Sequence, residues 1–246
     1  MRRVLLLMLS LLMVLPLAAA VDPFSLPVGT LIIDAGHGGH DPGASYNWPF
    51  AGGVVWERDL NLDIAKRLSV LVKLAHPQLR VIMTREDDTF ISLAERSAIA
   101  ASQSLDSKGA LFVSIHINSA QAPSAQGFEI LIKRQDKQVT LLDELTPLDN
   151  ISLFASHSQA QLNRLLNNRN LVIASIFEET MSSQLLTTRS RGIKEQDLWV
   201  LNQCRMPAVL VEVGFLSNEA EARRLVDSTY RQRVAQVLAA AIERCL

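Results

Sequence analysis

The chain has 246 residues, with 24 Lys and Arg against 25 Asp and Glu, a formal net charge of −1 at pH 7, and 48% hydrophobic residues. A balance this even implies neither nucleic acid nor an anionic membrane surface as a partner. Two cysteines, Cys204 and Cys245, are too few for a disulfide framework, although export would permit one bridge.

The first twenty residues hold Arg2 and Arg3, an apolar run from Val4 to Leu17, and the small-residue end Ala18-Ala19-Ala20. They read as a secretory signal peptide. The run is shorter than the roughly 20 apolar residues of a membrane span, and Pro16 interrupts it. The expectation is cleavage after about Ala20, a short segment at 21–29, and a periplasmic or secreted product with no membrane anchor in its mature form. The remainder of the chain is long enough for one core, and no linker divides it.

Thr30-Leu31-Ile32-Ile33 is a β-branched apolar run that breaks into the glycine-rich stretch Ala35 to Gly43, a buried strand followed by a loop. Leu60, Ile64, Leu68, Leu71 and Ala75 recur at helical spacing before Pro77, which predicts a helix over 58–75. Residues 80–85 form the next strand. Ser92-Leu93-Ala94-Glu95 has the form of a capping box that opens a second helix. Strands follow at 111–117 and 127–132, then a helical stretch over 151–186 with a break near Asn167 and Asn168, a strand at 208–213, a short helix capped by Asn218 to Glu221, and a final helix through Arg233, Val237 and Ala241. Strands alternating with helices predict an α/β layered domain with a largely parallel sheet.

Four polar residues stand where such a fold gathers its functional loops, at the carboxyl ends of strands. His37 lies in Asp34-Ala35-Gly36-His37-Gly38-Gly39, where glycines let the backbone approach a ligand closely; a turn histidine is the plain alternative. His116 lies near the end of the apolar strand in Phe112-Val113-Ser114-Ile115-His116-Ile117-Asn118 and, if buried, needs a partner, which an ordinary hydrogen bond would satisfy. Glu57 opens the first helix, where the helix dipole alone favours a carboxylate. Glu212 interrupts Val209-Leu210-Val211-Glu212-Val213. An isolated buried carboxylate costs several kcal/mol or more, so such a residue is paired, metal-bound or kept for chemistry. Two histidines and a carboxylate are the ligand set of a catalytic zinc with its fourth position left to water, and a second carboxylate nearby can take that water's proton. His40, His76 and His157 rank below His37 and His116 as ligands.

In this order, these segments resemble the zinc-dependent N-acetylmuramoyl-L-alanine amidases of the catalytic type called Amidase_3. The resemblance is carried by Ile33-Asp34-Ala35-Gly36-His37-Gly38-Gly39 with Asp41-Pro42-Gly43-Ala44, Glu57-Arg58-Asp59-Leu60-Asn61, Thr84-Arg85 with Leu93-Ala94-Glu95-Arg96, Ser114-Ile115-His116-Ile117-Asn118-Ser119, Arg191-Gly192-Ile193-Lys194, and the run from Met206 to Asn218. It implies a catalytic domain over 30–246, a single α/β domain around a mostly parallel six-stranded sheet flanked by helices. It implies one Zn2+ per chain held by His37, Glu57 and His116, with Glu212 as the general base. The implied substrate is bacterial peptidoglycan, cut at the amide between N-acetylmuramic acid and L-alanine for wall remodelling, daughter-cell separation or turnover.

Some relatives carry an N-terminal targeting domain, and this chain places its first strand about ten residues past the expected cleavage site. Some carry a helix that covers the site until an activator binds. The stretch at about 134–190, with Asp143, Glu144, Glu178 and Glu179, is long enough for such a regulatory insertion, which leaves room for a protein activator; an ordinary surface elaboration is the alternative. Two other functions compete: a zinc peptidase or carboxypeptidase on stem peptides, and a non-catalytic wall-binding activator, which should have lost a ligand or the base.

Overall fold

Strand β1 (Val28–Ala35) forms where Leu31, Ile32, Ile33 and Ala35 are shut off from solvent, and it ends where the glycine-rich loop begins. The structure, a computed structural model, describes residues 21–103, 108–144 and 146–246, so the expected signal peptide lies outside the described residues. After β1 come a hairpin of β2 (Ser45–Trp48) and β3 (Gly53–Trp56), helix α1 (Glu57–Ala75), strand β4 (Arg80–Met83) and helix α2 (Leu93–Ala101). Next are β5 (Gly109–Asn118), β6 (Phe128–Lys133), α3 (Leu148–Phe154), α4 (Gln159–Gln184), β7 (Ser190–Gln196), α5 (Trp199–Asn202), β8 (Ala208–Phe215), α6 (Glu219–Val226) and α7 (Ser228–Glu243).

Six strands make one sheet in the order β4-β1-β5-β8-β6-β7. The first four run parallel, β6 lies antiparallel to β8, and β7 runs parallel to β6. This is the mostly parallel six-stranded α/β domain expected from the sequence, with a seam where direction reverses between β8 and β6. Each face carries its own core. On one face Leu31, Ile33, Val113 and Val211 pack with α1, α7 and the second half of α4; on the other Ile32, Phe112 and Leu210 pack with α5 and the first half of α4. Cores this apolar on both sides are what central parallel strands require.

The expected break in the long helical stretch falls elsewhere. α3 ends at Phe154, and Ser158 with Gln161 forms a capping box that starts α4 afresh, whereas Asn167 and Asn168 sit inside it. Other asparagines of α4 serve as inward-facing hydrogen-bond groups: Asn163 pairs with the backbone of Val139 in both directions, and Asn170 accepts from the amide of Ala208. Of the acidic residues in the 134–190 stretch, Asp143 pairs with Arg205 and Glu179 with Arg244. The hairpin, β7 and α5 add to the elements expected from the sequence. Cys204 and Cys245 are free and buried, in the cores of opposite faces.

Candidate active site

The apolar rows of the sheet give way to polar residues at one end. Where Ile32 and Phe112 pack, the next side chains on the same face are Asp34 and Ser114, and beyond them come His116, Glu212 and Glu129, aligned across β5, β8 and β6. His37 enters from the loop after β1. Glu57 enters as the first residue of α1, whose N-terminal dipole favours its charge.

Glu57 is 4% exposed and stands between the two histidines. Its Oε1 lies 3.1 Å from His37 Nε2 and 3.0 Å from His116 Nδ1, and accepts from the Ile117 amide at 3.1 Å. Oε2 accepts from the Ala44 amide at 2.8 Å. Burial alone would raise the Glu57 carboxyl, but hydrogen bonds and charge from His116 and His37 outweigh it and hold the group well below its usual range. Burial alone would lower His37; the bonds and charges of Glu57 and then Asp41 win and lift it to about 9. Asp41 Oδ2 meets His37 Nδ1 at 2.8 Å, which turns Nε2 toward Glu57.

The donor set fits a divalent metal. One ligand atom from each of His37, Glu57 and His116 falls within 4.8 Å of the others, and two imidazoles with a carboxylate suit zinc. The surrounding backbone is shaped to the cluster: a Cβ on Gly36 would collide with the His116 ring, and one on Gly43 (φ 63°) would stand 2.6 Å from Glu57 Oε2. Only glycine fits at either place. His40 stacks instead on Phe90, and His157 bonds to Ser156.

Glu212 stands in register with His116 on the neighbouring strand. It is half-buried as a residue, yet its Oε2 is closed off from solvent and meets no hydrogen-bond partner. Burial pushes its carboxyl up to about 7, with His116 pulling down and the charges of Glu57 and Glu129 pushing further up. A carboxyl poised near neutrality beside a cluster of ligand atoms can accept and return a proton. The site opens into a cavity of about 400 Å³ whose walls include His37, Asp41, Leu93, His116 and Val200. No described residue of the 134–190 stretch lines it.

Behind the histidines lies a network to which the sequence reading gave no role, although Asp34, Thr84, Arg85, Arg96 and Ser114 all lie in segments that carry the family resemblance. Asp34 is 1% exposed and accepts from Arg96 Nη1 (2.5 Å), Thr84 (2.7 Å) and Ser114 (2.6 Å). Arg96 also donates to the carbonyls of Ala35, His37 and Ile91, and Arg85 to those of Ala35, Gly36, Arg58 and Asp87. Two buried guanidiniums thus fasten the loop that presents His37. Glu129, 3% exposed, is a further polar residue that sequence reasoning missed, though a charge within Phe128-Glu129-Ile130-Leu131-Ile132 is the same signal that marks Glu212.

The sequence profile of the N-acetylmuramoyl-L-alanine amidases matches residues 31–244. The chain is 34% identical over 228 residues to the uncharacterized protein YqiI of Bacillus subtilis, covering 93% of this chain and 89% of that protein. It is 32% identical to the N-acetylmuramoyl-L-alanine amidase LytC of Bacillus subtilis over 85% of this chain, and 30% identical to the probable amidase AmiB of Haemophilus influenzae over 87%. It spans only 34% of LytC and 51% of AmiB. Among solved structures it resembles the catalytic domain of the amidase CwlV from Bacillus (Paenibacillus) polymyxa var. colistinus, with a TM-score of 0.67 at 28% identity over 88% of this chain and 97% of that one. It also resembles the CwlD amidase of Clostridioides difficile, solved in complex with the GerS lipoprotein, with a TM-score of 0.67 at 27% identity over 88% and 98%.

Proposed function

This chain belongs to the N-acetylmuramoyl-L-alanine amidase family, and on that premise we propose that it is a zinc-dependent hydrolase of the amide between N-acetylmuramic acid and L-alanine in peptidoglycan. The observation that carries the reading is the meeting of His37, Glu57 and His116 around one point, with Glu212 in register beside them.

In this reading His37, Glu57 and His116 hold the ion, and Asp41 fixes the His37 ring. Bound zinc supplies Lewis acidity to the scissile carbonyl and the attacking water. Glu212 takes a proton from that water as its oxygen adds to the carbonyl carbon, and hands the proton to the amide nitrogen as the carbon–nitrogen bond breaks. The products are a glycan strand freed of peptide and a stem peptide with a free amino group on L-alanine. No serine or cysteine nucleophile is required, and both cysteines are buried in the two cores.

The reading extends to setting. Residues 1–20 act as a cleaved signal peptide, 21–29 lead into the catalytic domain, and the enzyme works in the periplasm or outside the cell. Among the described residues no helix is long and apolar enough to cross a membrane. A protein activator belongs to the proposal as well, since the CwlD amidase that this chain resembles was solved with a lipoprotein partner.

Purified peptidoglycan digested by the zinc-loaded chain, with and without chelator, tests the reading by mass analysis of the released fragments. Stem peptides beginning at L-alanine, released with zinc and not after chelation, are the expected result. Peptides cut at an internal bond, or release indifferent to chelator, would overturn it.

A further inference from the structure

The segment Arg191-Gly192-Ile193-Lys194 takes no part in the chemistry above, yet it ends up beside the proposed base. Glu129 lies opposite Glu212 in the β6–β8 ladder, and its Oε1 accepts from both Arg191 Nε and Lys194 Nζ, the latter at 2.7 Å. Asn118 reaches its other oxygen at 3.5 Å. One cation would neutralise Glu129, and here there are two. No other carboxylate among the described residues forms an ion pair with either, Glu212 included. The Glu129 side chain is 4% exposed, while those of Arg191 and Lys194 are 30% and 37% exposed, so the surplus charge faces solvent. The Arg191 guanidinium is steadied over the buried Phe215 ring at 5.0 Å.

The opposite end of the site differs in chemistry. There the cavity wall is formed by Phe90, Ile91, Leu93 and Val200, and its cation, Arg96, is committed to Asp34. The substrate has the same asymmetry, an uncharged sugar on one side of the scissile amide and an acidic peptide on the other.

We propose that Arg191 and Lys194 form a carboxylate-binding subsite for the peptide half of the substrate, which runs from Glu212 toward β7 while the sugar occupies the Leu93 and Val200 side. This rests on the amidase reading and adds a direction to it. The group bound is the carboxylate of the residue that follows L-alanine. The reach is right: neighbouring strands lie about 4.8 Å apart, and a peptide advances up to ~3.5 Å per residue, so that carboxylate falls one to two strands beyond the scissile bond. Arg191 Nη1 is given to the carbonyl of Gln126 at 3.5 Å, so a bound carboxylate meets the remaining N–H groups of Lys194 Nζ and Arg191 Nη2 without displacing Glu129.

Two soluble muramoyl peptides, alike except for a free carboxylate or a carboxamide on the second residue, test the subsite with the zinc-loaded chain. The expected result is a KM about fivefold to tenfold lower for the carboxylate compound. Lys194→Gln should raise that KM to the carboxamide value, and Lys194→Arg should restore most of the preference. Equal KM values for the two compounds would overturn the subsite. So would a Lys194→Gln variant that lowers kcat on both compounds alike with the preference intact, since that marks a merely structural partner of Glu129. Cleavage of both compounds only at an internal peptide bond would overturn the amidase reading, and this one with it.

Discussion

Arg96 donates from Nη2 to the backbone carbonyl of His37 at 2.6 Å, and His37 is the one non-glycine among the described residues with a positive φ, 61°. A left-handed residue without glycine's freedom costs about 1–3 kcal/mol and persists only where its surroundings hold it. Arg96→Met should therefore loosen the His37 loop and strand the buried charge of Asp34, destabilising the fold by about 3–5 kcal/mol. Denaturant unfolding measures this; a loss under about 1 kcal/mol would contradict the role.

Acid should unfold the protein partly through the same pair. Burial alone would raise the Asp34 carboxyl, but the charge of Arg96 and the bonds from Ser114 and Thr84 bring it below its ordinary 3.8. A carboxyl lowered on folding contributes stability that is present above about 3.8 and lost as pH falls further. Asp34→Asn should flatten the dependence of stability on pH below about 4, as followed by thermal melts across a pH series.

Glu212→Gln would remove the proposed proton acceptor and leave the three proposed ligands untouched. Zinc content by elemental analysis should match the unaltered protein, while turnover falls by about 10²–10⁴-fold. Retained turnover would remove Glu212 from its assigned role.

In the proposed site, zinc and protons would compete for His37. In the metal-free chain its pKa is raised from 6.5 to about 9, so its bond to Glu57 stabilises the fold fully below about 6.5 and is lost as pH rises through about 9. Chelated protein should lose stability over that window. Zinc addition near pH ~7.5 should release a proton, detectable in weak buffer, and release should fade above about pH 9. His116→Ala should bind zinc far more weakly; one tightly held ion in that variant would exclude His116 as a ligand.

Burial pushes the thiol of Cys204 up to about 12 and that of Cys245 up to about 11. Both should resist alkylation in the folded protein and react fully in denaturant, with a mass unchanged by reductant. A disulfide found in the purified protein would require rearrangement of both cores.

Local signals are legible in the sequence. The capping box at Ser92 and Glu95, the periodicity of α1, and the Asn218 cap of α6 each depend on residues within a few positions of one another, and each forms as expected. Glu212 stands out because a charge in an apolar strand is conspicuous. The direction of β6 depends instead on which edge of the sheet it joins, and no residue within Phe128–Lys133 encodes that choice. β7 is hard to read because Arg191 and Lys194 make a strand near the sheet's edge look like loop. Asn167 and Asn168 suggest a helix break because asparagine competes for backbone hydrogen bonds, whereas here Asn167 reaches across to the carbonyl of Gln135.

The pairing of β1 with β5 brings His37 and His116 together across a long separation in sequence, with the hairpin, α1, β4 and α2 between them. Parallel pairings of this kind close large loops and tend to form slowly. The candidate ligand cluster therefore exists only once the centre of the sheet has assembled, so a bound ion would meet a finished cradle rather than template one. Zinc should act on kinetic persistence, slowing unfolding strongly while leaving the refolding rate nearly unchanged.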